Sequence, residues 1–167
     1  MTTADNCDRE AWLAEGNAKQ ARKRVAVKAL ITDTAGRVLL VNPTYKEDWD
    51  LPGGMAEANE APTDALKREL NEELDLHLTV GRLLALEWIG PYGPWDDQLT
   101  FLFDCGTLDN DEITAITITD AEIAEYRFFP PAEALRALRA DIAQRLSRAI
   151  RTCDTERVDY TETWKHD

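Results

Sequence analysis

The chain has 167 residues, which matches one domain of ordinary size with its own core and leaves little room for two. Hydrophobic residues make up 44% and charged residues 31%, which excludes wholesale disorder. Thirty-two Asp and Glu against 19 Lys and Arg leave a net charge of −13, which argues against binding nucleic acid or an anionic membrane surface. An anionic substrate would therefore need a metal cation between itself and this protein. Cys7, Cys105 and Cys153 are odd in number and form no CxxC pair, so neither a disulfide framework nor a thiolate zinc site is expected. The opening MTTADNCDRE has no basic stretch leading into an apolar core, and no apolar run approaches the roughly 18 residues of a membrane span. These features describe a soluble cytoplasmic domain.

Residues 1–22 read as an N-terminal helical extension, with helix over 8–21. Val25–Ile31 reads as a strand, Asp33-Thr34-Ala35-Gly36 as a turn and Arg37–Val41 as a second strand of the same hairpin. Trp49–Gly54 is punctuated by Pro52, Gly53 and Gly54 and reads as a loop. Pro62–Leu74 is the clearest helix, its proline standing where a missing N–H does no harm. Thr79–Ile89 is expected as strand, Gly90–Asp97 as a rigid aromatic loop, and Leu99–Cys105 as strand. Residues 113–118 (ITAITI) and 123–129 (IAEYRFF) add further β signal. From Pro130-Pro131 onward, Leu135, Leu138, Ile142, Leu146 and Ile150 recur at helical spacing. Residues 152–167 form a polar C-terminal tail. This order predicts an α/β fold with a mixed β-sheet between helical layers.

At about 100° per residue the central helix puts Leu66, Leu70 and Leu74 on one stripe and Glu72, Glu69 and Glu73 on the stripe beside it. Like charges three and four apart cost an isolated helix a few tenths of a kcal/mol per pair, so stability alone would not select them. A solvated acidic face would lie opposite the apolar stripe; these carboxylates border it. Gly53-Gly54 precedes them, a place where backbone can approach a ligand closely. Convergent carboxylates near a glycine carbonyl make a hard-oxygen site of the kind that suits magnesium or manganese.

Gly54, Glu60 and the run Arg68-Glu69-Leu70-Asn71-Glu72-Glu73-Leu74-Asp75-Leu76 resemble the signature, or box, of the Nudix hydrolases, G-x5-E-x7-R-E-U-x-E-E-x-G-U with U bulky and aliphatic; the loop that leads into it is Trp49–Gly54. One position departs: Asp75 stands where that family has Gly. Asp tolerates the left-handed conformation that ends a helix better than most residues, so a less stable helix end is expected and the site is untouched. The resemblance implies a Nudix-type α/β/α sandwich, with a hydrolase domain over 23–151, and Mg2+ or Mn2+ held by Glu69, Glu72 and Glu73. It further implies a metal-facing carbonyl at Gly53, and Glu60 either reaching metal through water or orienting Arg68, which holds the carboxylates in place.

A carboxylate must accept the proton of the attacking water. Glu69 is one candidate, and Asp120, Glu122 and Glu125 near a late strand are others, Glu122 first among them. Lys46 stands before the box loop within reach of a phosphate; Trp49, Tyr92 and Trp95 are placed to stack on a base. His77 has no expected catalytic role. The implied substrate is a small nucleoside diphosphate derivative cleaved at its pyrophosphate bond. Pro91, 15 residues after Leu76, resembles ADP-ribose-type members, and Tyr92 stands close to a Tyr of dinucleoside-polyphosphate members. Two other readings are an isoprenoid-diphosphate isomerase, with Cys105 as its thiol, and a non-catalytic nucleotide sensor. A homodimer through the C-terminal amphipathic helix is also compatible with the pattern.

Overall fold

A computed structural model of the chain describes residues 3–164; His166 lies outside them, as does the Cys7 side chain. The expected hairpin forms from β1 (Arg24–Asp33) and β2 (Val38–Pro43), antiparallel and paired at Thr32 and Val38 beside the turn. Asp33 closes that turn by accepting from the Ala35 and Arg37 N–H groups at 3.0 and 2.8 Å and from Arg37 Nε at 2.6 Å. Beyond the turn the two strands diverge, and the glycine loop is wedged between them. Val27 N–H donates to Gly54 O and Ala29 N–H to Pro52 O, while Val41 and Asp50 exchange both backbone bonds. The loop is therefore anchored as though it were a short strand, which fixes Gly53 and Gly54 relative to β1.

α2 spans Pro62–Leu74, as the sequence pattern predicts. Its leucine stripe, Leu66, Leu70 and Leu74, is fully buried, each side chain contributing about 2 kcal/mol from area removed from water. Asp75 ends the helix in the left-handed region at φ 53°, ψ 33°, and the Leu76 N–H returns to Leu70 O at 3.2 Å. Two of the last carbonyls are capped from a distant segment, Thr119 N–H on Glu73 O and Thr117 N–H on Leu74 O.

The remaining elements are α1 (Thr3–Ala18), β3 (Leu83–Ile89), β4 (Gln98–Leu108), α3 (Asn110–Ala115), β5 (Ile123–Phe129), α4 (Pro131–Ala137), α5 (Ala140–Thr152) and β6 (Asp159–Thr163). The six strands form one sheet in the order β5-β2-β1-β4-β3-β6. β1 runs parallel to β4 and β3 parallel to β6, the other pairings being antiparallel, so the sheet is mixed. Alternation along β1 serves two cores. Val27, Ala29 and Ile31 pack toward α2, whereas Leu30 joins Leu102, Leu138, Ile142 and Leu146 on the side of α4 and α5. This is the expected α/β/α sandwich. No helix among the described residues is long and apolar enough to cross a membrane.

Four segments differ from the sequence expectation. Residues 110–115 are helix, not strand, because Asp109 and Glu112 form a reciprocal capping box that starts α3. The strand expected over 79–89 begins only at Leu83, after Gly81 has bonded to Asp104 O. The C-terminal amphipathic pattern is two helices, broken where Leu138 and Arg139 take extended ψ values of 150° and 146°. The polar segment after Thr152 supplies β6, clamped by Arg148 on Asp159 at 2.9 Å and by the Thr163 hydroxyl on Glu87 at 2.5 Å.

Candidate functional site

The site is built on α2. Arg68 grips Glu60 with two prongs, Nε to Oε1 and Nη2 to Oε2, both 2.9 Å. Its Nη1 donates to Glu69 Oε1 and Glu72 Oε2, again 2.9 Å each, and Nη2 also reaches Met55 O at 3.0 Å. Three like charges thereby share one guanidinium, which offsets the repulsion that the bare helix would carry. The Arg68 hydrogen bonds, then the Glu57 N–H, lower the Glu60 carboxyl to about 2. Glu60 is placed to orient Arg68.

Gly54 explains the position of Glu69: a Cβ there would stand 2.5 Å from the Glu69 carboxyl carbon, so the carboxylate lies in space a side chain would fill. Gly53, at φ +113°, has its two polar groups turned to different partners. Its N–H donates to Glu73 Oε2 at 2.8 Å, and its carbonyl accepts from Lys28 Nζ at 2.5 Å. Burial pushes the Glu73 carboxyl up to about 7, against the opposing pull of Lys28 and the Gly53 N–H, with Glu69 and Asp50 adding to the rise.

Among the described residues, no three His, Cys, Asp or Glu side chains stand close enough to hold an ion as they are placed. The donor chemistry fits a hard divalent cation. Glu69 and Glu72 already share one cationic partner, and Glu69 lies in the cradle that Gly54 leaves open. Gly53 is the donor that fits least as it stands, since an ammonium already bonds its carbonyl and would repel a second cation there.

On the other side of the glycine loop a cleft of about 480 Å3 runs between β1, α5 and the loop after β3. In a chain of net charge −13 it is lined by Arg24, Lys28, Lys46, Arg139 and Arg145 against Asp50 and Asp141. Lys46 pairs with Asp50 at 2.7 Å, Arg139 with Asp141 at 2.6 and 2.8 Å, and Arg145 with the buried Glu87 at 2.6 Å. The Arg24 guanidinium lies over the Trp95 ring, 4.5 Å from its centroid. Tyr92 and Trp95 bridge each other across their loop, and both line the cleft with Tyr45.

Of the sequence candidates, the fold therefore gathers Gly53, Glu60, Arg68, Glu69, Glu72 and Glu73 at the box, and Lys46, Tyr92 and Trp95 at the cleft. Trp49 is elsewhere: it packs edge-on to Phe129 at 4.8 Å, with Arg127 above its ring. Glu122 is exposed, its N–H bonded to Asp120 and its carbonyl to Thr44 N–H; its charge, after burial and Asp50, helps raise the neighbouring Tyr45 hydroxyl. Glu125 is paired with Arg127. His77 is exposed beside Asn71 and Asp75. Cys105 is buried in the core beneath α2, and burial pushes its thiol up to about 12, which removes it as a reactive nucleophile. Sequence reasoning missed Lys28, Arg139 and Arg145. Lys28 carried a signal, a lone charge inside the apolar run Val25–Ile31.

Comparison with known proteins agrees with this geometry. A family model described as the NUDIX domain matches residues 22–153. The CTP pyrophosphohydrolase of Escherichia coli (strain K12) is 37% identical over 67 residues, 38% of this chain and 50% of that protein. An RNA pyrophosphohydrolase of Pseudomonas fluorescens (strain SBW25) is 39% identical over 62 residues, 37% of this chain and 39% of that protein. The alignments thus span half or less of these relatives. Among solved structures, a UDP-X diphosphatase superposes with TM-score 0.70 at 22% identity, over 93% of this chain and 74% of that one. The MutT protein from Methanosarcina mazei Go1 gives 0.67 at 22%, over 81% and 100%. With the box on α2, its glycine loop wedged into the sheet and the family match spanning most of its length, the chain belongs to the NUDIX domain family.

Proposed function

We propose that the chain is a divalent-metal-dependent pyrophosphohydrolase that cleaves the diphosphate bond of a small nucleoside diphosphate derivative. The observation that carries this reading is the meeting, at Gly53 and Gly54, of a carboxylate helix on one side and a cation-lined cleft on the other. Glu69, Glu72 and Glu73 would hold Mg2+ or Mn2+, which when bound neutralises phosphate charge and acidifies a water. Arg68, with Glu60 behind it, keeps Glu69 and Glu72 in place. Lys46 and Arg139 would meet phosphate oxygens, and Trp95 with Tyr92 would contact the base. Glu69 is our choice of proton acceptor, and Glu122 the alternative. The relatives' names support pyrophosphate chemistry on nucleotides. The net charge favours a free nucleotide over RNA. The unpaired Cys105 and Cys153 are in keeping with a reducing, cytoplasmic setting.

The test is product release from ADP-ribose, nucleotide sugars, dinucleoside polyphosphates and nucleoside triphosphates, each with magnesium, manganese or EDTA. Glu72→Gln and Glu73→Gln run beside the wild type. Metal-dependent cleavage that both substitutions abolish is the expected result and names the substrate. No turnover on any of them, with nucleotide binding retained, would replace the hydrolase with a sensor.

A further inference from the structure

Lys28 is placed where no composition argument would put a lysine. It stands mid-strand in β1 with its side chain only 16% exposed. Its ammonium donates to Leu51 O at 2.9 Å and Gly53 O at 2.5 Å and lies 3.4 Å from Asp50 Oδ2. Lys46 binds the same oxygen more closely, at 2.7 Å, and against burial Lys28 and Lys46 together hold the Asp50 carboxyl below its ordinary value. The shortest contact of Lys28 is thus with the carbonyl of Gly53, whose N–H is held by Glu73 of the box. A backbone carbonyl has two lone pairs; the ammonium takes one of them, and its charge repels a divalent cation from the other.

We propose that Lys28 is a built-in monovalent cation that holds the Gly53 carbonyl against a divalent metal, so that the box binds its metal through carboxylates alone and more weakly than it otherwise would. The proposal rests on the reading of the box as a metal site. Lys28 is a positioning residue in this role: it acts through Gly53. Because it also lines the cleft, the charge it keeps there faces the substrate's phosphates whether or not metal is bound. The arrangement supplies one of the neutralising cations covalently.

The experiment is titration of the full chain with Mn2+ alone, free ion being read by electron paramagnetic resonance, and fold being checked by thermal unfolding. Lys28→Gln and Lys28→Met both remove the charge, so that one failing to fold leaves the other. Lys28→Arg keeps the charge, and Lys46→Gln takes a cation from Asp50 without touching Gly53. Read at pH 8, where Glu73 stays ionised without the pull of Lys28, the expected result is Mn2+ binding about tenfold tighter in the neutral Lys28 variants, with Lys28→Arg and Lys46→Gln within about threefold of wild type. Neutral Lys28 variants that bind no more tightly than Lys46→Gln overturn the proposal while leaving the metal site standing. Absence of Mn2+ binding in every variant, wild type included, overturns the metal reading and this proposal with it.

Discussion

The carboxylate of Glu69 lies in the volume that a side chain at Gly54 would occupy, 2.5 Å from where a Cβ would stand. Gly54 has ordinary φ, and the atoms in the way are the far end of a flexible side chain, so Gly54→Ala should leave stability within about 0.5 kcal/mol of wild type. It should nevertheless displace Glu69 and lower activity by about tenfold or more. Gly53→Ala is the contrast. At φ +113° its Cβ would stand 2.4 Å from the Val27 carbonyl, a backbone atom with little freedom to yield. That substitution should cost about 3 kcal/mol or more. Chemical denaturation beside a rate assay separates the two; equal stability losses would refute the assignment.

Trp95 and Trp49 are both loop tryptophans near the box, yet only Trp95 opens on the cleft, 51% exposed beneath Arg24. Trp95→Ala should raise KM several-fold with little change in Tm. Trp49→Ala removes an edge-on partner of Phe129 and should cost about 2–3 kcal/mol, with KM unchanged in the folded fraction. Steady-state kinetics and thermal melts on the same two preparations decide it.

Asp33 stabilises the β1–β2 turn as an anion. Burial alone would push its carboxyl up, but the Arg37 N–H and guanidinium and the Ala35 N–H outweigh burial and hold it below the ordinary 3.8. A depressed folded value means the contribution is complete above the unfolded value and disappears as pH falls through the folded one. Asp33→Asn should therefore be less stable than wild type by about 1 kcal/mol at pH 7, and the gap should close below pH 3.8. A gap that persists at acid pH would mean that the carboxylate charge contributes nothing.

Glu87 is buried on β3, where it receives Arg145 at 2.6 Å, Arg148 at 3.4 Å and the Thr163 hydroxyl. Glu87→Gln keeps the shape and leaves the buried Arg145 without its carboxylate, Arg148 still having Asp159, at a cost on the order of 3 kcal/mol. It should also loosen β6, seen as faster amide exchange over Asp159–Thr163 than over β1. Uniform loss of protection in both strands would argue against a local fastening role.

What was legible in the sequence is what neighbours along the chain determine. The stripe of Leu66, Leu70 and Leu74, the proline that opens α2 and the left-handed stop at Asp75 act within a few residues, so the helix, its carboxylates and the box around them could be read directly. The same locality misled over 113–118, where a β-like pattern was overruled by the Asp109–Glu112 capping box. Tertiary structure alone decided the rest. Lys28 and Gly53 are 25 residues apart and Glu87 and Arg145 are 58 apart, so the cleft and its charges exist only once the sheet is assembled. The sheet likewise made a polar segment into β6, because a strand edge is recruited by the hydrogen bonds its neighbour offers and not by its own hydrophobicity.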